Sequence, residues 1–312
     1  MLWKILSALI VFLLVIFSLS FAFENMARTP VELKVNYLNP ESLEFVDYGD
    51  VPVFLENLRF SHNLISYEID NGCDNDRKSD MIAAFNIFSE EVKIVSFYEF
   101  SKDALDAEDA DIKIECSDDF VGLGKNLFAA GEGGPSRIIN TSGFKVIEEG
   151  TILLYDSVDC DYPIVALHEL GHVFGFDHSD DPKNIMYNTS GCGQRMSEDM
   201  VELMVELYSI EALGDAKIKS VDGIIKGRYL DFNISVLNEG LVEIDDIDLT
   251  IFANGEEIDV MELGEIEIGY GRTLRVENLR LPGSTEKIEF VLDAEDLVRE
   301  LNEGNNVVEM VA

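Results

Sequence analysis

His168-Glu169-Leu170-Gly171-His172-Val173-Phe174-Gly175-Phe176-Asp177-His178 contains three of the four histidines in the chain, at the spacing H-E-x-x-H-x-x-G-x-x-H. On a helix, His168 and His172 stand four apart, so their imidazoles lie one turn above the other and can share an ion. Gly175 can take a left-handed conformation that ends the helix, which lets His178 return as a third ligand. Three neutral nitrogens with a fourth position left to water describe a catalytic Zn²⁺ site rather than a closed structural one. Glu169 lies beside such an ion without binding it, and it is read as the base that takes a proton from the activated water. Two histidines four apart with a glutamate recur by chance in many helices. Here Gly175 and His178 fill two further specified positions, which leaves coincidence little room.

The pattern resembles that of the metzincin zinc proteases. Asn184-Ile185-Met186-Tyr187 is similar to the Met-turn that these enzymes place beneath the zinc, with Met186 at its centre. Ser179 after the third histidine and Tyr187 after the methionine bring the resemblance nearest to the matrixin branch. The resemblance implies an α+β catalytic domain, a twisted mixed sheet with a zinc helix, carrying one catalytic Zn²⁺ and hydrolysing peptide bonds in extracytoplasmic proteins or peptides. Matrixins use further upstream histidines for a structural zinc. Only His62 lies upstream here, so no second zinc is expected. Their inhibitory cysteine is also not expected, because no cysteine precedes Cys73. The alternative is an inactive metzincin-like adhesion or binding protein with a structural zinc. Glu169 argues against it, because a structural site has no use for a base.

Four cysteines, Cys73, Cys116, Cys160 and Cys192, suit an oxidising compartment, and an even count permits three pairings. In the fold that the resemblance implies, Cys160 and Cys192 flank one site and pair, which leaves Cys73 with Cys116. Free buried thiols are the alternative.

Ahead of this region, Ile5 to Phe23 is a run of nineteen residues without a charge, just long enough to span a bilayer. Residues 1–23 are expected to be an uncleaved signal anchor that places the catalytic domain outside the cytoplasm. Ser20-Phe21-Ala22 keeps open a cleaved signal and secretion. Residues 24–50 are read as a stalk with one strand near Val31 to Tyr37, and 51–213 as the catalytic domain. Within that domain the apolar periodicity predicts strands at Leu64–Ile69, Val92–Tyr98, Asp111–Glu115 and Thr151–Tyr155. Ala110 to Ile114 resembles a central strand of matrixins. A helix through Met81, Ile82, Phe85 and Phe88, a turn at Gly131–Pro135 and a zinc helix from Tyr162 to Phe174 are expected, then a helix from Ser197 to Ile210.

From residue 214 the pattern changes to strict alternation. Leu230, Phe232, Ile234 and Val236 are followed by Ile247, Leu249, Ile251 and Ala253, and Asn254-Gly255 forms a hairpin turn. About seven strands in residues 214–312 predict an immunoglobulin-like β-sandwich that folds separately, with few contacts across Gly214. Leu237-Asn238-Glu239-Gly240 and Glu300 through Asn306 resemble the cell-adhesion-related domain CARDB, which implies a surface ligand. Asn305 and Asn306 are read as hairpin residues rather than calcium ligands. A Ca²⁺ site in the acidic loop Asp118-Asp119 is a minor expectation. The formal net charge of −38 repels nucleic acid and anionic membrane surfaces and excludes the former as a partner.

Overall fold

The computed structural model describes residues 16, 31–37, 46, 48–101, 109–118, 122–124, 127–155 and 160–311. Apart from Ile16, the apolar run lies outside these residues. Among the described residues no helix is long and apolar enough to cross a membrane. The elements in chain order begin β1 (Val31–Glu32), β2 (Lys34–Tyr37), β3 (Leu58–Phe60), β4 (Leu64–Ile69), α1 (Asn75–Val92), β5 (Ser96–Glu99) and β6 (Ile112–Cys116). Then follow β7 (Gly122–Gly124), β8 (Leu127–Phe128), β9 (Gly131–Asn140), β10 (Lys145–Leu154), α2 (Ile164–Val173) and α3 (Glu198–Ser209). The chain ends with β11 (Ala216–Lys226), β12 (Tyr229–Asn238), β13 (Asp248–Ala253), β14 (Glu256–Glu262), β15 (Gly271–Arg280), β16 (Lys287–Leu292) and β17 (Val307–Val311).

Within residues 51–213, β3, β10, β6, β4 and β5 run parallel, and β9 lies antiparallel along β10. Parallel neighbours need crossovers, and α1 supplies the one between β4 and β5. Asp74 caps α1 by accepting from the N–H groups of Asp76 and Arg77. Met81, Phe85 and Phe88 are buried beneath the sheet as expected, whereas Ile82 is 45% exposed and stands outside the apolar stripe. The helix also runs four residues past Phe88, so the strand expected from Val92 begins only at Ser96. Its end is set by Lys93, at φ 60°.

Gly131 to Pro135 is not a turn but the first half of strand β9. The glycines serve close approach. A Cβ on Gly131 would lie 2.7 Å from Cγ of Glu169, and one on Gly133 would overlap the Glu169 carbonyl. A strand can pass this close to the helix only without side chains at those positions.

The C-terminal region is a sandwich of two sheets, ordered β1-β11-β12-β15 and β14-β13-β16-β17-β2. All eight alternating residues from Leu230 to Val236 and Ile247 to Ala253 are buried between the sheets, none above 3% exposed. The two-residue turn has φ 51° at Asn254 and 83° at Gly255, the paired positive values of a type I′ hairpin. The strand expected near Val31 to Tyr37 forms as two, and both belong to the sandwich. β1 pairs with β11 in one sheet and β2 with β17 in the other. This segment is therefore part of the C-terminal domain rather than a free stalk.

The expectation of few contacts across Gly214 is also corrected. Leu241, 0% exposed, lies in the hydrophobic core of the preceding domain, and Ile268 and Leu301 pack against that core. Leu241 N–H donates to Leu213 O at 2.8 Å and Leu301 N–H to Gly214 O at 2.9 Å. Arg299 pairs with Glu211 at 2.7 Å, and Ser142 Oγ donates to Glu239. The apolar residues at 241, 268 and 301 fall in loops, where alternation gives no hint of which core they join. The end of α3 is held by Arg59, fully buried, whose Nη1 donates to Leu207 O at 2.7 Å and Ile210 O at 2.8 Å. A guanidinium there satisfies carbonyls that the helix leaves unpaired.

Candidate metal centre

Helix α2 presents His168 and His172 on one face, and the chain then turns at Gly175, φ +93°. Phe176 N–H donates to Gly171 O at 3.2 Å and Gly175 N–H to His172 O at 3.0 Å, the paired bonds of a Schellman end. The turn is held from outside by Val51–Phe54: Phe54 N–H donates to Gly175 O at 3.0 Å and Asp177 N–H to Pro52 O at 2.9 Å. The helix spans Ile164–Val173 with Pro163 as its N-cap, slightly shorter than expected.

The turn brings His178 to the other two histidines. One ring nitrogen from each of His168, His172 and His178 lies within 4.8 Å of the others. His168 Nδ1–H donates to Ile185 O and His172 Nδ1–H to Phe176 O, both at 2.7 Å. Those carbonyls fix both tautomers and leave each Nε2 with a lone pair. The two Nε2 atoms face each other at 3.1 Å. Lone pairs at that distance repel unless a proton or a cation stands between them. Burial first, then the other two histidines, depress His168 to about 4, and burial lowers His172 as well, so a proton is disfavoured near neutrality. Two Nε2 atoms held in this way, with a ring nitrogen of His178 within 4.8 Å of them, fit a Zn²⁺ ion, whose donor preference they match.

Met186, 1% exposed, lies directly under the helix, where a side chain at Gly171 would overlap its Sδ. Its N–H donates to Asn184 Oδ1 at 2.8 Å, and its carbonyl accepts from Ser179 N–H at 2.9 Å. The loop that supplies the Ile185 carbonyl to His168 is thus tied to the segment just after His178. Cys160 is bonded to Cys192 and Cys73 to Cys116, as expected. The first bond joins the approach to α2 with the loop beyond Met186.

Glu169 is 6% exposed, beneath β9. Burial first, then the charge of Glu132, push its carboxyl up to about 8, while the Gly133 N–H bond opposes the rise. A group so placed holds a proton readily, and a nearby cation would draw it back toward the charged form. Sequence reasoning missed the Ile185 and Phe176 carbonyls, since a backbone acceptor carries no residue signature. It also missed β9 as the wall over Glu169, although Gly131-Glu132-Gly133-Gly134 was the available signal. His62 takes no part: its Nε2 lies 3.1 Å from Asp111 Oδ2 and its Nδ1 3.0 Å from Ser61 Oγ. Asp118 accepts from Arg77 at 2.8 Å, and Asp119, the other residue of the expected Ca²⁺ loop, lies outside the described residues.

Residues 59–209 match the matrixin family and residues 215–310 match CARDB. A 28-residue stretch is 64% identical to macrophage metalloelastase of Oryctolagus cuniculus, covering 9% of this chain and only 6% of that protein. Among solved structures, high choriolytic enzyme 1, a hatching-enzyme zinc-protease of the medaka Oryzias latipes, aligns over 48% of this chain and 90% of its own, with 16% identity and TM-score 0.29. A CARDB domain from Pyrococcus furiosus in complex with di-metal ions aligns over 32% and 88%, with 18% identity and TM-score 0.25. The chain thus carries a matrixin domain at residues 59–209 and a CARDB domain at residues 215–310.

Proposed function

We propose that this protein is a zinc-dependent endopeptidase that cleaves proteins or peptides outside the cytoplasm, with Glu169 as its general base. The observation that carries the reading is the pair of Nε2 lone pairs 3.1 Å apart, with Glu169 buried at the next position in the chain. When bound, Zn²⁺ lowers the pKa of a coordinated water toward ~7 and polarises a carbonyl. His168, His172 and His178 would hold it, and the Ile185 and Phe176 carbonyls keep two of those rings aimed. Glu169 accepts a proton at its carboxylate and can return it to the leaving amine, and burial under β9 keeps bulk water away from that transfer. β9 is an edge strand whose second edge has no strand partner among the described residues. An extended peptide laid along that edge would be held by main-chain hydrogen bonds beside Glu169.

The two disulfides support an oxidising compartment. Residues 5–23 are proposed as a membrane anchor with the catalytic domain outside, or else as a cleaved signal. The CARDB domain would supply attachment to a surface ligand. The test is proteome-wide cleavage profiling with the parent and with Glu169→Ala. Cleavage products present with the parent and missing with the variant are expected. Identical product sets would reject the enzyme and favour a binding protein that holds zinc structurally.

A further inference from the structure

One side of the sandwich presents two long strand edges of opposite charge. A single residue, Leu33, separates β1 from β2, so both sheets start on the same side, and both end on the other, one at β15 and one at β14. Neither end strand has a second strand partner among the described residues. In a chain of formal charge −38, β15 is basic, with Arg272, Arg275 and Arg280 against Glu277. β14 carries Glu256, Glu257, Asp259 and Glu262 and no basic residue, and Glu262 stands directly opposite Asp248 on β13. Arg275 pairs with Glu277 of its own strand at 2.7 Å, and Arg272 donates to the Glu265 carbonyl at 2.8 Å. Among the described residues no ion pair joins the basic edge to the acidic one. Apolar side chains that pack against the core but stay partly exposed accompany the charges: Ile258 and Met261 on β14, Leu274, Val276 and Leu279 on β15.

Charged side chains guard an edge against pairing with its own copy, and lysine is the usual guard. Neither edge carries one; the cations are arginines, which protein interfaces favour while lysine is depleted there. Each guard is also of one sign. It opposes β15 beside β15 and β14 beside β14, and it favours β15 beside β14.

The strand directions suit that pairing. Three antiparallel steps lead from β1 to β15 and four from β2 to β14. Since β1 and β2 continue one another, β15 and β14 run in opposite directions. A two-fold axis along the strands therefore sets β15 of one copy antiparallel beside β14 of a second, and repeats the contact with the roles exchanged. A two-fold axis across the strands would set arginine beside arginine.

We propose that the β14–β15 side of the CARDB domain is a self-association surface, closing a two-fold dimer in which the basic edge of each copy lies along the acidic edge of the other. Residues 271–276 of β15 and 259–262 of β14 are free of register shifts and are the stretches that meet.

The test is sedimentation of the full-length, zinc-saturated protein in mild detergent over a range of concentrations. The parent is expected to dimerise with Kd at or below about 10 μM, and more weakly in about 1 M salt than in about 0.1 M. Arg272→Glu with Arg275→Glu makes both edges acidic and should weaken the dimer at least ~100-fold, as should Asp259→Lys with Glu262→Lys, which makes both basic. Mixed one to one, the two variants meet through one reversed contact and one natural contact. A heterodimer should then form with Kd within about 10-fold of the parent's, which misfolded variants would not give. A parent that stays monomeric up to about 100 μM, a dimer that survives both charge reversals, or a mixture that fails to restore it would overturn the surface.

Discussion

Glu169 and Glu300 are both buried glutamates whose carboxyls are pushed up to about 8, burial being the first cause in each. Their wiring differs. Around Glu169 the backbone amide of Gly133 gives one bond, and the facing strand is stripped of side chains, so capacity to take a proton remains. Both oxygens of Glu300 are occupied by donors, and its neighbours are other carboxylates and amides. Equal burial therefore meets different surroundings: glycines of a facing strand at Glu169, and the N–H groups of Ala216 and Asn306 at Glu300. The histidines beside Glu169 are nitrogen donors for a borderline-soft metal, whereas the carboxylates of the junction face the amide nitrogens of Asn305 and Asn306.

The comparison can be broken at its strongest point first. His178→Ala removes one of three nitrogens from an ion that helps to define the site. Zinc content, measured by metal analysis after dialysis, should fall from about one per chain to a small fraction, and peptide hydrolysis should fall with it. Unchanged zinc would mean that another group closes the site.

Next in size is the domain junction. Leu241→Ala, at 0% exposure, should cost about 2–5 kcal/mol in a denaturant titration, as a core position does. A cost below about 0.5 kcal/mol would show that the domains are independent after all. For the same reason the catalytic region severed at Gly214 should lose stability, since Leu241 and Leu301 leave with the CARDB domain. The β1 and β2 segment would also lose its sandwich partners.

Gly133→Ala probes the closeness of β9 and α2. The added methyl meets the Glu169 backbone, and overpacking of this kind costs about 1–3 kcal/mol. Displacement of Glu169 should lower kcat more than KM. Gly134→Ala, where a Cβ meets nothing within 4 Å, is the control and should have little effect on either.

The histidine triad was legible because all its side chains fall within one helix and one turn, where spacing alone dictates geometry. Its supports were not, because Ile185 and Phe176 act through carbonyls that any residue would supply. The sandwich core was legible in the alternation from Leu230 to Ala253, but the joining of Val31–Tyr37 to both its sheets depends on pairing between the two ends of the chain. Gly131 to Pro135 misled for a physical reason: glycine and proline mark turns by their freedom and rigidity, yet here glycine serves close approach in an edge strand. The junction cluster unites Asp215 with residues 300–306, and burial sets its character. Asn305 and Asn306 look like turn residues until their surroundings are seen.

Glu169→Gln tests the central claim most directly, with zinc content and the rate of peptide hydrolysis measured on the same preparation. The substitution keeps size and hydrogen-bonding capacity and removes basicity. Zinc should stay at the parent level while kcat falls by at least ~10²-fold, the scale of a lost general base. A Glu169→Gln protein that retains zinc and hydrolyses an unfolded protein as fast as the parent would contradict the role assigned to Glu169.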